Sequence, residues 1–190
     1  MDAFAFDRYE LRRKFFSPIH TDFSFLQPSG QPVLFGRKKG FKLKEDIRLF
    51  ADEAMQREVL VIAARSVIDF SGNYDVSDPK GGRVGVLRRK GLRSILRDEW
   101  HLLDSTERQI GIIQEDSQGM ALLRRFLSNL IPQSYHMMVG GTPVAELKQH
   151  FNPFRLRYSI DFSLDTRRTL DRRLGLAAAA LLCTMEGRQD

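Results

Sequence analysis

Between Leu156 and Leu164 apolar and polar residues alternate without interruption: Leu156, Tyr158, Ile160, Phe162 and Leu164 against Arg157, Ser159, Asp161 and Ser163. Strict alternation marks a strand with one face buried and one wet. Val59 to Ile68, VLVIAARSVI, is a β-branched apolar run with no helical stripe, which also predicts a strand. Turn chemistry punctuates the same region at Pro28-Ser29-Gly30, Lys39-Gly40, Ser71-Gly72-Asn73, Pro79-Lys80-Gly81-Gly82 and Lys90-Gly91. Strands therefore dominate before Gln118. Gln118 to Leu130 changes period: Leu122, Leu123, Phe126, Leu127 and Leu130 oppose Arg124 and Arg125, which predicts an amphipathic helix ended by Pro132. Strands resume with SYHMMV and PVAELKQH.

The C-terminal pattern is different again. Leu174 to Met185 is an uncharged run of 12 residues, closed by Arg172 and Arg173 on one side and by Glu186 and Arg188 on the other. As a helix it spans about 18 Å, too short for the roughly 30 Å of a bilayer interior. A surface helix keeps its apolar residues on one stripe. Here Leu176, Leu181 and Leu182 enclose four successive alanines, so every face is apolar. Such a helix, predicted over 169–185, must be surrounded by the rest of the chain.

A repeat supplies the surroundings. Asp52, Asp78 and Asp104 are separated by 26 residues each, and each stands between two strand-like pieces. Gln27 takes the same place in a fourth copy, one residue off the spacing. A fixed period of this size signals a repeated supersecondary unit. The unit here is a hairpin whose turn opens with aspartate, which readily bonds turn backbone. About a dozen strands wet on one face, followed by a helix wet on none, predict a closed antiparallel barrel wrapped around its own C-terminal helix. The class is mainly β, and 190 residues suit one domain spanning 1–190.

With its units YDVSDPKGGRVGVLRRK and WHLLDSTERQIGIIQED and its ending RYSIDFSLDTRRTLDRRLGLAAAALL, the chain resembles the tubby-like superfamily. That group includes the phospholipid scramblases and the LURP-one-related proteins. The resemblance spans roughly Asp7 to Met185 and implies about twelve strands around a hydrophobic helix. It also implies dealings with lipid, since tubby-like relatives bind phosphoinositides and scramblases move phospholipids. Scramblases carry an acidic calcium loop and a palmitoylated cysteine cluster; this chain has no such loop and a single cysteine, Cys183. Calcium-driven scrambling is not expected, and no phosphoinositide-binding residue carries over.

Composition narrows the rest. Cys183 inside the apolar helix implies an inert thiol and a reducing compartment. The start, MDAFAFDRYE, lacks the basic and apolar regions of a secretory signal. The expected location is cytoplasmic, peripheral to a membrane at most. Catalytic motifs for hydrolases, phosphate loops and zinc peptidases are missing, and the four histidines are scattered. The expectation is a protein without enzymatic activity, cofactor or metal.

A net charge of +6 and a pI near 9.7 favour an anionic partner without choosing among lipid, nucleic acid and acidic protein. In a hairpin meander the aspartate turns share one end and the connections share the other. Arg37, Lys38, Lys39 and Lys42 fall in the connection after the first unit, and Arg88, Arg89 and Lys90 in that after the third. Both groups are predicted on one rim. Arg167, Arg168 and Arg172 add charge near the start of the last helix, partly neutralised by Asp165 and Asp171. These ten residues are the candidate contacts to anionic phospholipid head groups at a membrane surface. Asp52, Asp78, Asp104, Leu176, Leu181 and Leu182 are the candidate structural positions. The alternative is a module that binds protein or nucleic acid through the basic face, although only Phe41 interleaves an aromatic with a basic cluster.

Overall fold

A computed structural model describes residues 2–14, 19–40, 44–66, 72–90, 99–115, 133–150 and 156–185. Among them twelve strands form a closed antiparallel barrel: β1 (Arg8–Arg13), β2 (His20–Leu26), β3 (Pro32–Lys39), β4 (Asp46–Phe50), β5 (Glu58–Ala64), β6 (Asn73–Ser77), β7 (Arg83–Arg89), β8 (Glu99–Leu103), β9 (Gln109–Glu115), β10 (Ser134–Val139), β11 (Thr142–His150) and β12 (Arg157–Asp161). Each strand pairs with its sequence neighbours, and β1 closes the ring on β12. Closure leaves no unpaired strand edge. The helix expected at 118–130 lies outside the described residues.

Period two decides which side chains enter. On β12 Tyr158 and Ile160 are buried, and on β4 Ile47 and Leu49. They surround α1 (Arg172–Met185), which begins slightly later than the range predicted from sequence. Leu174, Leu176, Leu181 and Leu182 are each at most 5% exposed. Burying them contributes on the order of 10 kcal/mol at the upper end, as much as the net stability of an ordinary domain. The small residues permit a close approach to the wall. A Cβ on Gly175 would lie 2.6 Å from the Phe162 ring, so only glycine fits there.

The repeat is visible in the turns. In three hairpins the first turn residue donates its N–H to a carbonyl four positions on, Gln27 to Gln31 at 3.0 Å, Asp78 to Gly82 at 2.8 Å and Asp104 to Arg108 at 2.9 Å, while in the longer second turn Ala51, just before Asp52, donates to Arg57 at 2.9 Å. The aspartates add what glutamine does not. Asp78 accepts the N–H groups of Lys80 and Gly82, Asp104 those of Thr106 and Arg108, and Asp52 those of Gln56 and Arg57. The Gln27 side chain bonds that of Gln31 instead. Pairing slips by one residue just before each turn, at Phe25/Leu26, Leu49/Phe50, Val76/Ser77 and Leu102/Leu103. Such bulges strengthen the strand twist that a barrel needs.

Candidate anion-binding rim

Strand direction gives the barrel two chemically distinct ends. The hairpin turns and the start of α1 share the turn end. The connections β3–β4 and β7–β8 share the connection end with the C-terminus of α1. Lys38 Nζ bonds the Thr184 carbonyl at 3.4 Å, which places the end of α1 there.

At the turn end the arginines of the last helix are engaged by acids. Arg172 is 5% exposed and donates to Asp165 Oδ2 at 2.9 Å and to Asp7 Oδ1 at 3.1 Å. Its guanidinium carbon lies 4.6 Å from the centre of the Phe162 ring. Burial alone would raise the Asp165 pKa, but the N–H groups of Leu170 and Thr169, the Thr169 hydroxyl and Arg172 together hold it below the usual carboxylate range. Arg168 donates to the Ala5 carbonyl at 3.0 Å, and Arg173 pairs with Asp171 at 2.6 Å. Arg167 is exposed and has no ion-pair partner among the described residues. So Arg172 is a structural tether, and it stands at the opposite end from Arg37–Lys39 and Arg88–Lys90. The ten candidates do not form one surface.

The connection end holds the others, except Lys42, which lies outside the described residues. Leu34, Gly36 and Lys38 fall on the inner face of β3, so Lys38 points into the barrel and is 6% exposed. It donates to Glu45 Oε1 at 2.9 Å, while the Tyr74 hydroxyl donates to Glu45 Oε2 at 2.6 Å. The ammonium also meets the negative end of the α1 dipole. Lys38 is thus an internal tie, not a rim group. Arg37 faces outward and grips Asp22 with two bonds, at 2.8 and 2.7 Å. Arg88 donates to Asn73 at 2.8 Å, and Lys90 pairs with Glu99 at 2.9 Å. Lys90 holds the Glu99 carboxyl below its ordinary pKa, against burial, with help from His101 and Gln114. Arg89 lies 5.9 Å from the centre of the Trp100 ring.

One tip differs. Lys39 is exposed and has no ion-pair partner among the described residues. Its paired residue across the sheet is His20, and the Gly40 N–H donates to the Ile19 carbonyl at 2.8 Å. That bond ties the backbone of Ile19, which is 66% exposed, to the residue that follows Lys39. Sequence reasoning passed over Ile19 because a single isoleucine before a strand carries no pattern.

A family model described as LURP-one-related matches residues 32–183 of the chain. The chain belongs to the LURP-one-related family. The match begins at β3, so β1, β2, Asp7 and Ile19 precede it, while Asp165, Arg172 and α1 up to Cys183 fall within it. No curated protein matches this LURP-one-related chain. No helix among the described residues is long and apolar enough to cross a membrane.

Proposed function

We propose that this LURP-one-related protein acts without enzymatic chemistry and docks on anionic phospholipid head groups through its connection end. The observation that supports the reading is the Ile19–Lys39 tip. An exposed apolar side chain and an exposed ammonium without an ion pair at the same tip suit a membrane surface, where the first enters the acyl boundary and the second meets phosphate. Each lysine or arginine near such a surface adds about 1 kcal/mol, and burying an isoleucine adds about 1.5–3 kcal/mol. Lys90 and Arg37 are shared with carboxylates, so the expected affinity is weak and steeply dependent on salt.

Another reading, a protein- or nucleic-acid-binding module, is favoured by a similar pair at the turn end: Leu164, 60% exposed, and Arg167. The test is side-by-side binding to phosphatidylcholine vesicles with and without phosphatidylserine, and to single-stranded DNA and RNA, over a salt series. Selective sedimentation with the anionic vesicles at low salt is the expected result. Binding to nucleic acid alone, or to neither, would overturn the lipid reading.

A further inference from the structure

Three arginines converge on the outer wall along β7. Gly85 faces α1, where an added Cβ would lie 3.1 Å from Leu174, so Arg88, three positions on, faces outward. Arg65, just past β5, donates to both oxygens of Asp75 on β6, at 2.8 and 2.7 Å, and to both oxygens of Glu107, at 3.1 and 2.8 Å. Arg83 donates to the same Glu107 at 2.7 Å, and the Arg88 guanidinium lies 3.9 Å from it. These side chains are 28–44% exposed, so the cluster is open to solvent. Three guanidiniums share two carboxylates, one negative charge short of balance.

The two carboxylates differ. Asp75 is fixed on a strand, whereas Glu107 reaches the arginines from the β8–β9 turn. Its φ of 64° is left-handed, at a position that is glycine in two of the sister turns, Gly30 and Gly81. A side chain is strained there, and strain of this kind gathers at binding sites. Glu107 is therefore the carboxylate that an incoming anion can replace. Without it the arginines carry two positive charges beyond Asp75. A phosphomonoester brings about −1.5 to −2 and three acceptor oxygens, so it balances that charge where another carboxylate does not. Planar guanidinium forks also match phosphate geometry.

We infer that Arg65, Arg83 and Arg88 form a site for a phosphorylated side chain of a partner protein, which takes the place Glu107 holds in the unbound chain. The cluster lies along the wall around β7, whereas the Ile19–Lys39 tip stands beside β2 and β3, so a barrel docked by that tip keeps the arginines clear of lipid. The inference is independent of the head-group reading.

The probes for the full chain are a blocked Gly-Ser-Gly peptide carrying phosphoserine, the same peptide with glutamate or plain serine at its centre, inorganic phosphate, and phosphatidic acid vesicles. Binding is followed by NMR at the arginine side-chain N–H groups, and vesicle binding by sedimentation. The phosphoserine peptide should shift Arg65, Arg83 and Arg88 saturably, with inorganic phosphate competing. The glutamate peptide should bind roughly tenfold more weakly, the value of one charge-assisted bond, and the serine peptide should not bind. Arg83→Gln should weaken phosphopeptide binding by a similar factor while its sedimentation with phosphatidylserine vesicles matches the parent's; melting curves check that it folds. Glu107→Gln should tighten phosphopeptide binding several-fold by removing the internal competitor. Absent shifts, equal binding of the glutamate and phosphoserine peptides, or unchanged or weaker binding by Glu107→Gln would overturn the site. Shifts with inorganic phosphate alone, or engagement of these arginines by the phosphatidic acid vesicles alone, would overturn the protein source. A parent chain that binds the phosphopeptide but no vesicles keeps this site and removes only the head-group reading.

Discussion

The two ends of the barrel use the same residue types for different purposes. At the turn end carboxylates bind their own backbone: Asp52, Asp78 and Asp104 each accept turn N–H groups, and Asp165 holds two more together with Arg172. The carboxylates there are consumed by structure, while Arg167 stays exposed without an ion pair among the described residues. At the connection end Ile19 is exposed, while among the described residues Lys39 has no ion-pair partner and the buried Trp100 donor no acceptor. Groups left unsatisfied there suit a partner from outside. The contrast teaches that a basic composition does not locate a binding surface; what matters is which cations lack a carboxylate.

The largest effect should come from the turn end. Asp165→Ala removes the acceptor shared by Thr169, Leu170 and Arg172 and leaves a buried guanidinium half-compensated. Loss of one partner of a buried pair costs about 3–5 kcal/mol, measurable as a lowered urea midpoint. A variant of near-native stability would show that Asp7 alone holds Arg172 and that the turn end is less tightly built than described.

Acid should act at the same end. Its hydrogen bond from the Thr106 hydroxyl, reinforced by the N–H groups of Thr106 and Arg108, holds the Asp104 pKa down at about 2, against burial. A folded pKa below the unfolded value means stability that is present above about pH 4. It is lost as pH falls from there towards about 2. Urea midpoints recorded across that window should fall less steeply for Asp104→Asn than for the parent. Parallel profiles would mean that the turn carboxylate does not distinguish folded from unfolded chain.

A smaller effect sharpens the comparison within the turn end itself. The fourth residue of each turn has positive φ: Gly30 at 84°, Gly81 at 87°, but Met55 at 55° and Glu107 at 64°. A side chain in that region costs about 1–2 kcal/mol, offset in part by glycine's greater freedom when unfolded. Met55→Gly should therefore raise stability by roughly 0.5 kcal/mol. Glu107→Gly should not, because Glu107 pairs with Arg65 at 2.8 Å and Arg83 at 2.7 Å. Melting temperatures that move together would contradict this.

Much of the fold was legible in the sequence because barrel, hairpins and central helix all write themselves as period. Alternation in RYSID gave a strand, the 26-residue spacing gave the turns, and an apolar run without a stripe gave the enclosed helix. The site was less legible because charge was read as a run. Arg37-Lys38-Lys39 lies on a strand, so its middle member turns inward; alternation from Leu34 and Gly36 was the signal that could have shown it. Arg172 was misplaced for another reason. Its partners Asp7 and Asp165 come from opposite ends of the chain, and only three-dimensional structure joins them. Ile19 and Trp100 gain meaning only from exposure and from an unmade bond, which no local pattern records.

The central claim is that the connection end, not the turn end, meets the membrane. Each end carries an exposed hydrophobic and an exposed cation without an ion pair among the described residues, Ile19 with Lys39 and Leu164 with Arg167, which permits a matched test. The paired variants Ile19→Ser/Lys39→Glu and Leu164→Ser/Arg167→Glu are compared by sedimentation with phosphatidylserine vesicles at low salt. Both should melt close to the parent, since exposed substitutions usually change stability by no more than about 0.5 kcal/mol. The account predicts that the Ile19/Lys39 variant loses vesicle binding while the Leu164/Arg167 variant keeps it. Equal losses, or loss only in the Leu164/Arg167 variant, would contradict it.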